Sequence, residues 1–290
     1  MKILVAGSTG YLGSHIVKEL LAQDQEFVAL ARNTDKLKSI GLGDTQIIQA
    51  EATQKESLLG VCEGIDVVIS SLGITRQKDG LSYMDVDYQA NKHLLDEAKR
   101  QRVKKFIYVS VLGGERLTNL KICEAKERFV EELKASGISY TIIRPSGFFS
   151  DLAEFYEMAK KGRIYLFGNG EQKLNPIDGK DLALVCIKAI RDKESEVEVG
   201  GPAIYSHKEI AELAFESLSQ PPRITYVPDF IRKLALKLAP IFMSKAAFGP
   251  LEFFLHVMAM NMVAPPYGSY SLESFFRELA QTKKTYEKVS

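Results

Sequence analysis

Short uncharged stretches and helical patterns alternate along the first half of the chain. Apolar, β-branched runs of four or five residues are typical of strands that are buried on both faces. The runs that predict strands are 3–6, 27–31, 45–49, 67–70, 106–110 and 140–143. Apolar residues recur at helical spacing over 15–22, 88–100 and 125–136. This alternation predicts the α/β class: a doubly wound, mostly parallel sheet with helices on both faces.

The alternation weakens after Pro145, where glycine-containing turn clusters become frequent. Helices are still predicted over 179–191 and from Ser206, a hydroxyl N-cap with Glu209 three residues further on. We therefore expect a main domain over residues 1–200 and a small C-terminal subdomain over 201–290.

The first predicted strand runs directly into three glycines, Gly7, Gly10 and Gly13, and then into the first predicted helix. The segment Gly7-Ser8-Thr9-Gly10-Tyr11-Leu12-Gly13 has the spacing G-x-x-G-x-x-G. Glycines at such a strand–helix turn let the backbone approach a pyrophosphate, which binds at the positive end of the helix. Because the turn follows the first strand of an α/β pattern, it predicts a dinucleotide site and hence a Rossmann fold.

The end of the second predicted strand indicates which dinucleotide binds. NAD-specific sites usually have Asp or Glu there, to accept hydrogen bonds from the adenosine ribose. This chain has Arg32, with Lys36 one turn further on. A guanidinium can bind a 2′-phosphate through two hydrogen bonds, whereas a carboxylate would repel it. The sequence therefore favours NADP(H), the alternative being that Arg32 is a solvated surface residue.

These features together resemble the atypical short-chain dehydrogenase/reductases, in particular the NmrA-like, NAD(P)H-binding branch. That branch is similar to divinyl chlorophyllide reductases and to an accessory subunit of respiratory complex I. The resemblance is specific over residues 1–150, extends to Asp181 and is loose beyond 220. The segments that carry it are the glycine turn, Arg32, Glu51-Ala52-Thr53, Asp66-Val67-Val68-Ile69-Ser70, Tyr140 to Gly147 and Asn175-Pro176-Ile177-Asp178.

The resemblance implies a cofactor-binding role for each matching position. The pyrophosphate would be held by Gly7, Thr9, Gly10, Tyr11 and Leu12, with Gly13 completing the motif. Arg32 would hold the 2′-phosphate, with Lys36 nearby. The adenine and ribose would be bordered by Glu51, Ala52, Ser70, Ser71 and Leu72. The nicotinamide would lie against Pro145, Ser146, Gly147 and Phe148. The C-terminal subdomain would be a substrate or lid subdomain, with 151–175 contributing to the pocket.

The catalytic pattern of this superfamily is only partly present. Standard members use Tyr and Lys in Y-x-x-x-K together with a Ser after the fifth strand. Here Ser110 and Lys126 occupy the matching places, but Ile122 replaces the tyrosine. Lys126 would bind the nicotinamide ribose, or it is a solvated lysine; Ser110 is catalytic or is a turn residue. Tyr83, Tyr88 or Tyr108 could supply the proton instead, and the sequence does not rank them; Cys123, on the same helical face as Lys126, is a candidate thiolate or a core residue.

Composition excludes several other classes of function. The formal net charge of +1 over 290 residues gives no reason to expect a nucleic-acid partner. Three widely spaced cysteines and four isolated histidines show neither a disulfide framework nor metal-ligand spacing, so no metal is expected. No signal peptide or membrane span is predicted either, and we expect a cytoplasmic protein.

Residues 230–245 allow a second localisation, peripheral at a membrane. A predicted helix there combines an apolar face with the cations Arg232, Lys233 and Lys237. The alternative is a helix that covers a substrate pocket. Residues 251–263 are rich in Phe and Met, which suits either a greasy pocket or an ordinary core.

Three functions are consistent with these residues. The first is an NADPH-dependent reductase of a small hydrophobic enone, quinone or related substrate. The second is a non-catalytic NADP(H)-binding sensor or assembly factor, for which the missing tyrosine argues. The third is epimerase or dehydratase chemistry on nucleotide sugars, which would normally need that tyrosine.

Overall fold

The computed structural model describes residues 1–74 and 80–287, without the side chains of 245, 246 and 282–287. The chain forms two compact units, and the first is discontinuous. It comprises Met1–Arg144 and Leu182–Glu198, and the second comprises Pro145–Asp181 and the chain from Val199 onward. This division differs from the single boundary expected at residue 200, because the chain leaves the first unit after Arg144 and returns to it for 182–198.

The strands of the described residues are given first and the α-helices second, each in chain order. The strands are β1 (Ile3–Ala6), β2 (Phe27–Ala31), β3 (Ile47–Gln49), β4 (Val67–Ser70), β5 (Lys105–Val109), β6 (Ser139–Pro145), β7 (Ile164–Phe167), β8 (Lys173–Leu174), β9 (Glu196–Val199), β10 (Tyr205–Ser206) and β11 (Ile224–Val227). The α-helices are α1 (Tyr11–Ala22), α2 (Asp35–Ser39), α3 (Asn91–Arg100), α4 (Lys121–Lys134), α5 (Ala153–Lys160), α6 (Gly179–Lys188), α7 (His207–Ser217), α8 (Asp229–Phe242), α9 (Lys245–Val257) and α10 (Leu272–Glu287).

The first unit is built on a seven-stranded sheet in the order β3-β2-β1-β4-β5-β6-β9. The neighbouring pairs from β3 to β6 are all parallel. Strands β1, β2, β4 and β5 are buried at every position, as expected when both faces of a parallel sheet are covered. The predicted doubly wound, Rossmann-type fold is confirmed, with its reversal of strand order between β1 and β4.

The predicted strands agree with the observed ones to within a few residues. Strands β1, β2 and β4 begin and end where the sequence predicts. Strand β3 begins at Ile47 because Asp44–Gln46 forms a 3₁₀ turn, and β6 extends to Pro145. Helix α1 begins at Tyr11, four residues before the apolar pattern, because its first turn is the second half of the glycine segment.

A π-helical turn over Met84–Ala90 precedes α3 and was not predicted. In this wider turn the side chain of Asn91 satisfies backbone carbonyls, donating to Asp87 O at 3.0 Å and Val86 O at 3.3 Å. Its carbonyl oxygen accepts a hydrogen bond of 2.6 Å from Ser70 Oγ at the end of β4. The turn is thereby tied to the carboxyl end of the central sheet.

The second unit contains two small sheets and several helices. Strands β7 and β11 pair in parallel, and β8 and β10 pair antiparallel. The predicted N-cap at Ser206 is confirmed, because its hydroxyl accepts from Glu209 N while the Glu209 carboxylate accepts from Ser206 N. Asp181 accepts hydrogen bonds from Ser269 N and Tyr270 N at 3.0 and 3.1 Å, which is a structural role.

Candidate dinucleotide site

The glycine turn adopts a conformation that only glycine accommodates well. Gly7 has φ +78°, and a Cβ there would lie 2.8 Å from the Ser71 backbone after β4. A Cβ on Gly13 would lie 2.1 Å from Gly7 O, so α1 packs directly on the turn. Gly10 is less crowded, since its Cβ would lie 3.2 Å from Gly7 O. Gly7 and Gly13 therefore shape the turn, which leaves Gly10 as the position whose missing side chain most directly serves a ligand.

The amino end of α1 is open to an anion. No side chain caps it, and its first turn contains no acidic residue. The backbone N–H groups of the first helical turn and the helix dipole therefore favour a phosphate at this end. Ser8, whose role the sequence did not indicate, is fully buried. Its hydroxyl donates a hydrogen bond of 2.8 Å to Leu30 O, which fixes the turn against β2. These features fit the pyrophosphate of a dinucleotide.

Two cations lie at the end of β2, as the sequence predicts for a 2′-phosphate. Lys36 Nζ donates to Thr9 O at 2.6 Å, so the ammonium reaches the glycine turn. Arg32 is 58% exposed, and its Nη1 lies 3.8 Å from the Glu51 carboxylate. The Glu51 carboxylate in turn accepts a hydrogen bond of 2.9 Å from Thr53 Oγ1. Arg32 and Glu51 are thus brought together, and Lys36 adds a positive charge against the glycine turn.

The end of β4 connects the glycine turn to α4. Ser71 packs against Gly7, and Leu72 is partly buried two residues after Ser70. A Cβ on Gly73 would lie 2.7 Å from Asp87 Oδ1 and 3.2 Å from Lys126 Nζ. Gly73 was not predicted as a site residue. Its lack of a side chain lets the segment after β4, which contacts the glycine turn, lie close to Asp87 and the Lys126 ammonium.

Lys126 forms an ion pair with Asp87 that the sequence did not indicate. The Lys126 ammonium lies 3.0 Å from Asp87 Oδ1; the lysine side chain is 13% exposed and the aspartate fully buried. Asp87 Oδ2 accepts a hydrogen bond of 3.2 Å from Ile74 N. Burial opposes the lysine charge, but Tyr108 and Asp87 beside it raise the pKa of Lys126 above its usual value. Lys126 is therefore a fixed, protonated group and not a solvated lysine.

Of the candidate proton donors and the candidate thiolate, Tyr83, Tyr108 and Cys123 are buried and Tyr88 is partly buried. Tyr108 has no exposed surface, its ring lies 5.4 Å below Lys126 Nζ, and burial raises the pKa of its phenol. Tyr83 is 3% exposed, and Tyr88 donates to Glu132 at 3.3 Å. Burial raises the pKa of the Cys123 thiol to about 12, the opposite of what a nucleophile needs.

Ser110 belongs to a buried polar cluster. Its hydroxyl donates to Glu127 Oε1 at 2.8 Å, and Arg144 donates to both Glu127 oxygens at 2.7 and 2.8 Å. The Arg144 guanidinium also bonds to Glu196 at 3.1 Å, which joins β6 to β9. This pairing favours the structural interpretation of Ser110; its catalytic role stays an untested prediction.

The remaining predicted residues are placed as follows. Ala52 is buried, and its carbonyl oxygen lies 3.4 Å from His93 Nδ1. Pro145 ends β6 and Ser146 follows it; the Ser146 hydroxyl donates to Asn175 O at 2.6 Å within the second unit. Gly147 has φ +146°, and Phe148 forms a β-bridge with Ile177. Contact of this segment with a nicotinamide stays a prediction.

Within 1–74 and 80–287, no three His, Cys, Asp or Glu side chains are grouped so that they could hold an ion. The three cysteines are buried free thiols.

Three features meet at the carboxyl edge of this doubly wound sheet: the uncapped amino end of α1, the glycine turn, and the two cations that follow β2. Together they define a dinucleotide-binding protein. A family model described as NAD(P)H-binding matches residues 7–193. The chain belongs to this NAD(P)H-binding family, so the predicted cofactor is confirmed as a nicotinamide dinucleotide.

Proteins with a similar sequence support the resemblance of this chain to the atypical short-chain dehydrogenase/reductases. The chain is 29% identical over 304 residues to the chloroplastic divinyl chlorophyllide a 8-vinyl-reductase of Arabidopsis thaliana, which covers 94% of this chain and 72% of the relative. It is 30% identical over 239 residues to the photosystem II assembly factor Ycf39 of Cyanophora paradoxa, which covers 81% and 74%.

Solved structures share the fold. Triphenylmethane reductase of Citrobacter sp., solved with NADP(H), has a TM-score of 0.75 at 15% identity and covers 97% of this chain and 100% of its own. The NADPH-dependent quinone oxidoreductase QOR2 of Escherichia coli has a TM-score of 0.68 at 18% identity, covering 97% and 99%.

Proposed function

We propose that the protein is an NADPH-dependent reductase of a small hydrophobic enone, quinone or related conjugated molecule. The observation that carries the proposal is the fixed Lys126 ammonium, held by Asp87 beside Gly73. Through Ser71, this same segment contacts the glycine turn that would hold the pyrophosphate. The first unit thus combines a phosphate-binding turn with a cation suited to orient the other end of the dinucleotide.

The preference for NADPH rests on Arg32 and Lys36. Arg32 directly follows β2 and Lys36 lies on α2, and both side chains are exposed. The Lys36 ammonium donates a hydrogen bond to Thr9 O. Glu51 neutralises part of the Arg32 charge, but two cations against one carboxylate still favour a 2′-phosphate. Arg32 would bind that phosphate with its planar fork, and Lys36 would supply a second positive charge.

Lys126 would hold the nicotinamide ribose. An ammonium has three N–H donors; Asp87 pairs with it and Val109 O accepts a hydrogen bond of 3.5 Å, so one donor remains for a ribose hydroxyl. The bound cofactor would supply a hydride. The proton that completes the reduction would come from water, because Ile122 cannot donate one. Two of the similar proteins, a vinyl-reductase and a quinone oxidoreductase, are also reductases by name.

The test is single-turnover oxidation of bound NADPH, followed by its absorbance with a panel of enones, quinones, aldehydes and ketones. We expect oxidation with at least one conjugated substrate. Lys126→Ala should slow it by about ten- to a hundredfold, roughly 1.4–2.7 kcal/mol of orientation, with a smaller loss of affinity. Lys121→Ala is the matched control, since Lys121 lies on the same helix and its side chain is 72% exposed.

The second candidate is a non-catalytic NADP(H)-binding sensor or assembly factor. It is favoured by Ile122 and by the similarity to an assembly factor. In that case NADPH binds, no compound in the panel is reduced, and Lys126→Ala changes only the affinity. A flat absorbance trace with every compound would lead us to abandon the reductase for this candidate.

A further inference from the structure

Helix α8 carries a row of large apolar side chains that face solvent. Seven of the sixteen exposed large hydrophobic residues of the described chain lie between Phe230 and Met243. We call six of them the apolar face, and their side chains are 40–82% exposed: Phe230, Ile231, Leu234, Leu238, Ile241 and Phe242. Single exposed apolar residues are common, whereas a contiguous row of this size marks an interaction surface.

The opposite side of α8 is the one that packs within its own unit. Arg232 is 8% exposed, donates to Asp229 at 2.6 Å and reaches Leu255 O on α9 at 3.1 Å. At 100° per residue, the apolar face spans about 120° of the helix, and Arg232 lies outside this sector. The apolar face is therefore additional to the packing of the second unit and is not its core.

Positive charge borders the apolar face. Lys233 and Lys237 lie along one edge of it; the Lys233 side chain is 71% exposed, although its Nζ also contacts Asp229 at 3.2 Å. Residues 230–251 include four cations and no Asp or Glu. The sequence predicts Arg232 as one of the membrane-facing cations, but Arg232 is buried and ion-paired, so the prediction is wrong for this residue.

We propose that α8 docks on the surface of an anionic lipid bilayer. The apolar face would enter the boundary between headgroups and acyl chains, and Lys233 and Lys237 would lie near the lipid phosphates. The helix would lie in the plane of the membrane, since its 14 residues extend only about 21 Å. No helix among the described residues is long and apolar enough to cross a membrane.

The charge pattern favours lipid over a second copy of the chain. A dimer through this face would bring together two surfaces that each carry cations and have no carboxylate within 230–251. An anionic bilayer instead offers both an apolar interior and negative charge. Dimerisation is therefore an outcome that the experiment must detect.

The experiment measures co-sedimentation of the full chain with large unilamellar vesicles. One set contains equal parts of phosphatidylglycerol and phosphatidylcholine, and the other contains phosphatidylcholine alone. We expect binding to the anionic set that falls steeply when NaCl is raised to about 0.5 M. Lys237→Gln should weaken binding about fivefold, and Phe242→Asp about tenfold or more, because an apolar side chain no longer enters the lipid.

Leu59→Asp is the matched control, since Leu59 is 63% exposed but lies in the first unit. It should bind vesicles as the unmodified chain does, and circular dichroism should show that all variants are folded. The proposal is overturned if anionic vesicles do not bind the chain at low salt, or if Leu59→Asp loses as much binding as Phe242→Asp. It is also overturned if sedimentation velocity shows a dimer that Phe242→Asp dissociates while vesicle binding is unchanged.

Discussion

Asp87→Asn should destabilise the protein, since this substitution removes the charge that balances Lys126 while keeping the size of the side chain. Asp87 is fully buried and Lys126 is 13% exposed, and their charged atoms lie 3.0 Å apart. Breaking a buried pair from one side leaves the other charge desolvated, which typically costs 3–5 kcal/mol. Because Lys126 keeps some access to water, we expect a loss near the lower limit, about 3 kcal/mol.

The assay is urea unfolding of the cofactor-free protein, followed by circular dichroism. Asp96→Asn is the matched control, because Asp96 also pairs with a lysine, Lys92 at 2.6 Å, but at the surface of α3. Its loss should be at most about 0.5 kcal/mol. The double variant Asp87→Asn with Lys126→Met should be more stable than the sum of its single variants predicts, by about 1–3 kcal/mol. An equal, small effect of both Asn substitutions would refute the conclusion that Lys126 depends on Asp87.

Three further predictions concern the glycine turn, the cofactor preference and a buried histidine. Arg32→Asp should weaken NADPH binding by about 1–3 kcal/mol and NADH binding much less, measured by calorimetric titration; equal binding of both cofactors by the unmodified protein would contradict the assignment. Gly10→Val should abolish NADPH binding while the protein stays folded, whereas Gly13→Ala should unfold the protein, because the new Cβ would lie 2.1 Å from Gly7 O. Calorimetric titration and thermal melting separate the two effects. Unchanged NADPH affinity of Gly10→Val would mean that the turn serves no ligand. Burial lowers the pKa of His207 to about 4. Between pH 6.5 and 4 the imidazole is therefore protonated in the unfolded chain but not in the folded protein. The free energy of unfolding should fall by up to about 3 kcal/mol as the pH drops through this range. His207→Phe should flatten that pH dependence in urea unfolding, and an unchanged slope would contradict it.

Local patterns were sufficient to predict much of the fold, including the unit of strand, glycine turn and helix at the start of the chain. A buried parallel strand and a G-x-x-G-x-x-G turn each depend on neighbouring residues, so strands β1, β2 and β4 were predicted at their exact bounds. The capping box at Ser206 is local for the same reason.

Features that depend on distant residues could not be predicted in this way. Asp87 lies in the π turn over Met84–Ala90 and pairs with Lys126 on α4, a residue far away in the sequence, and neither partner's sequence neighbourhood indicates the pair. Likewise, Arg232 has the spacing of a surface cation, but α9 packs over it through Leu255 O. The discontinuous first unit depends on where 182–198 returns, which periodicity does not encode.

The missing tyrosine limits which substrates the proposed reductase can use. Ile122 lies one turn before Lys126, and neither Tyr108 nor Cys123 replaces it, because burial raises the pKa of both groups. Hydride addition to a simple ketone produces a strongly basic alkoxide, which needs a proton donor in place during the reaction. Addition to an enone or a quinone produces a delocalised, weakly basic oxyanion, which water can protonate afterwards. A site that keeps the orienting lysine without the acid is therefore suited to conjugated substrates, and activity on simple ketones comparable to that on enones would show that another donor acts.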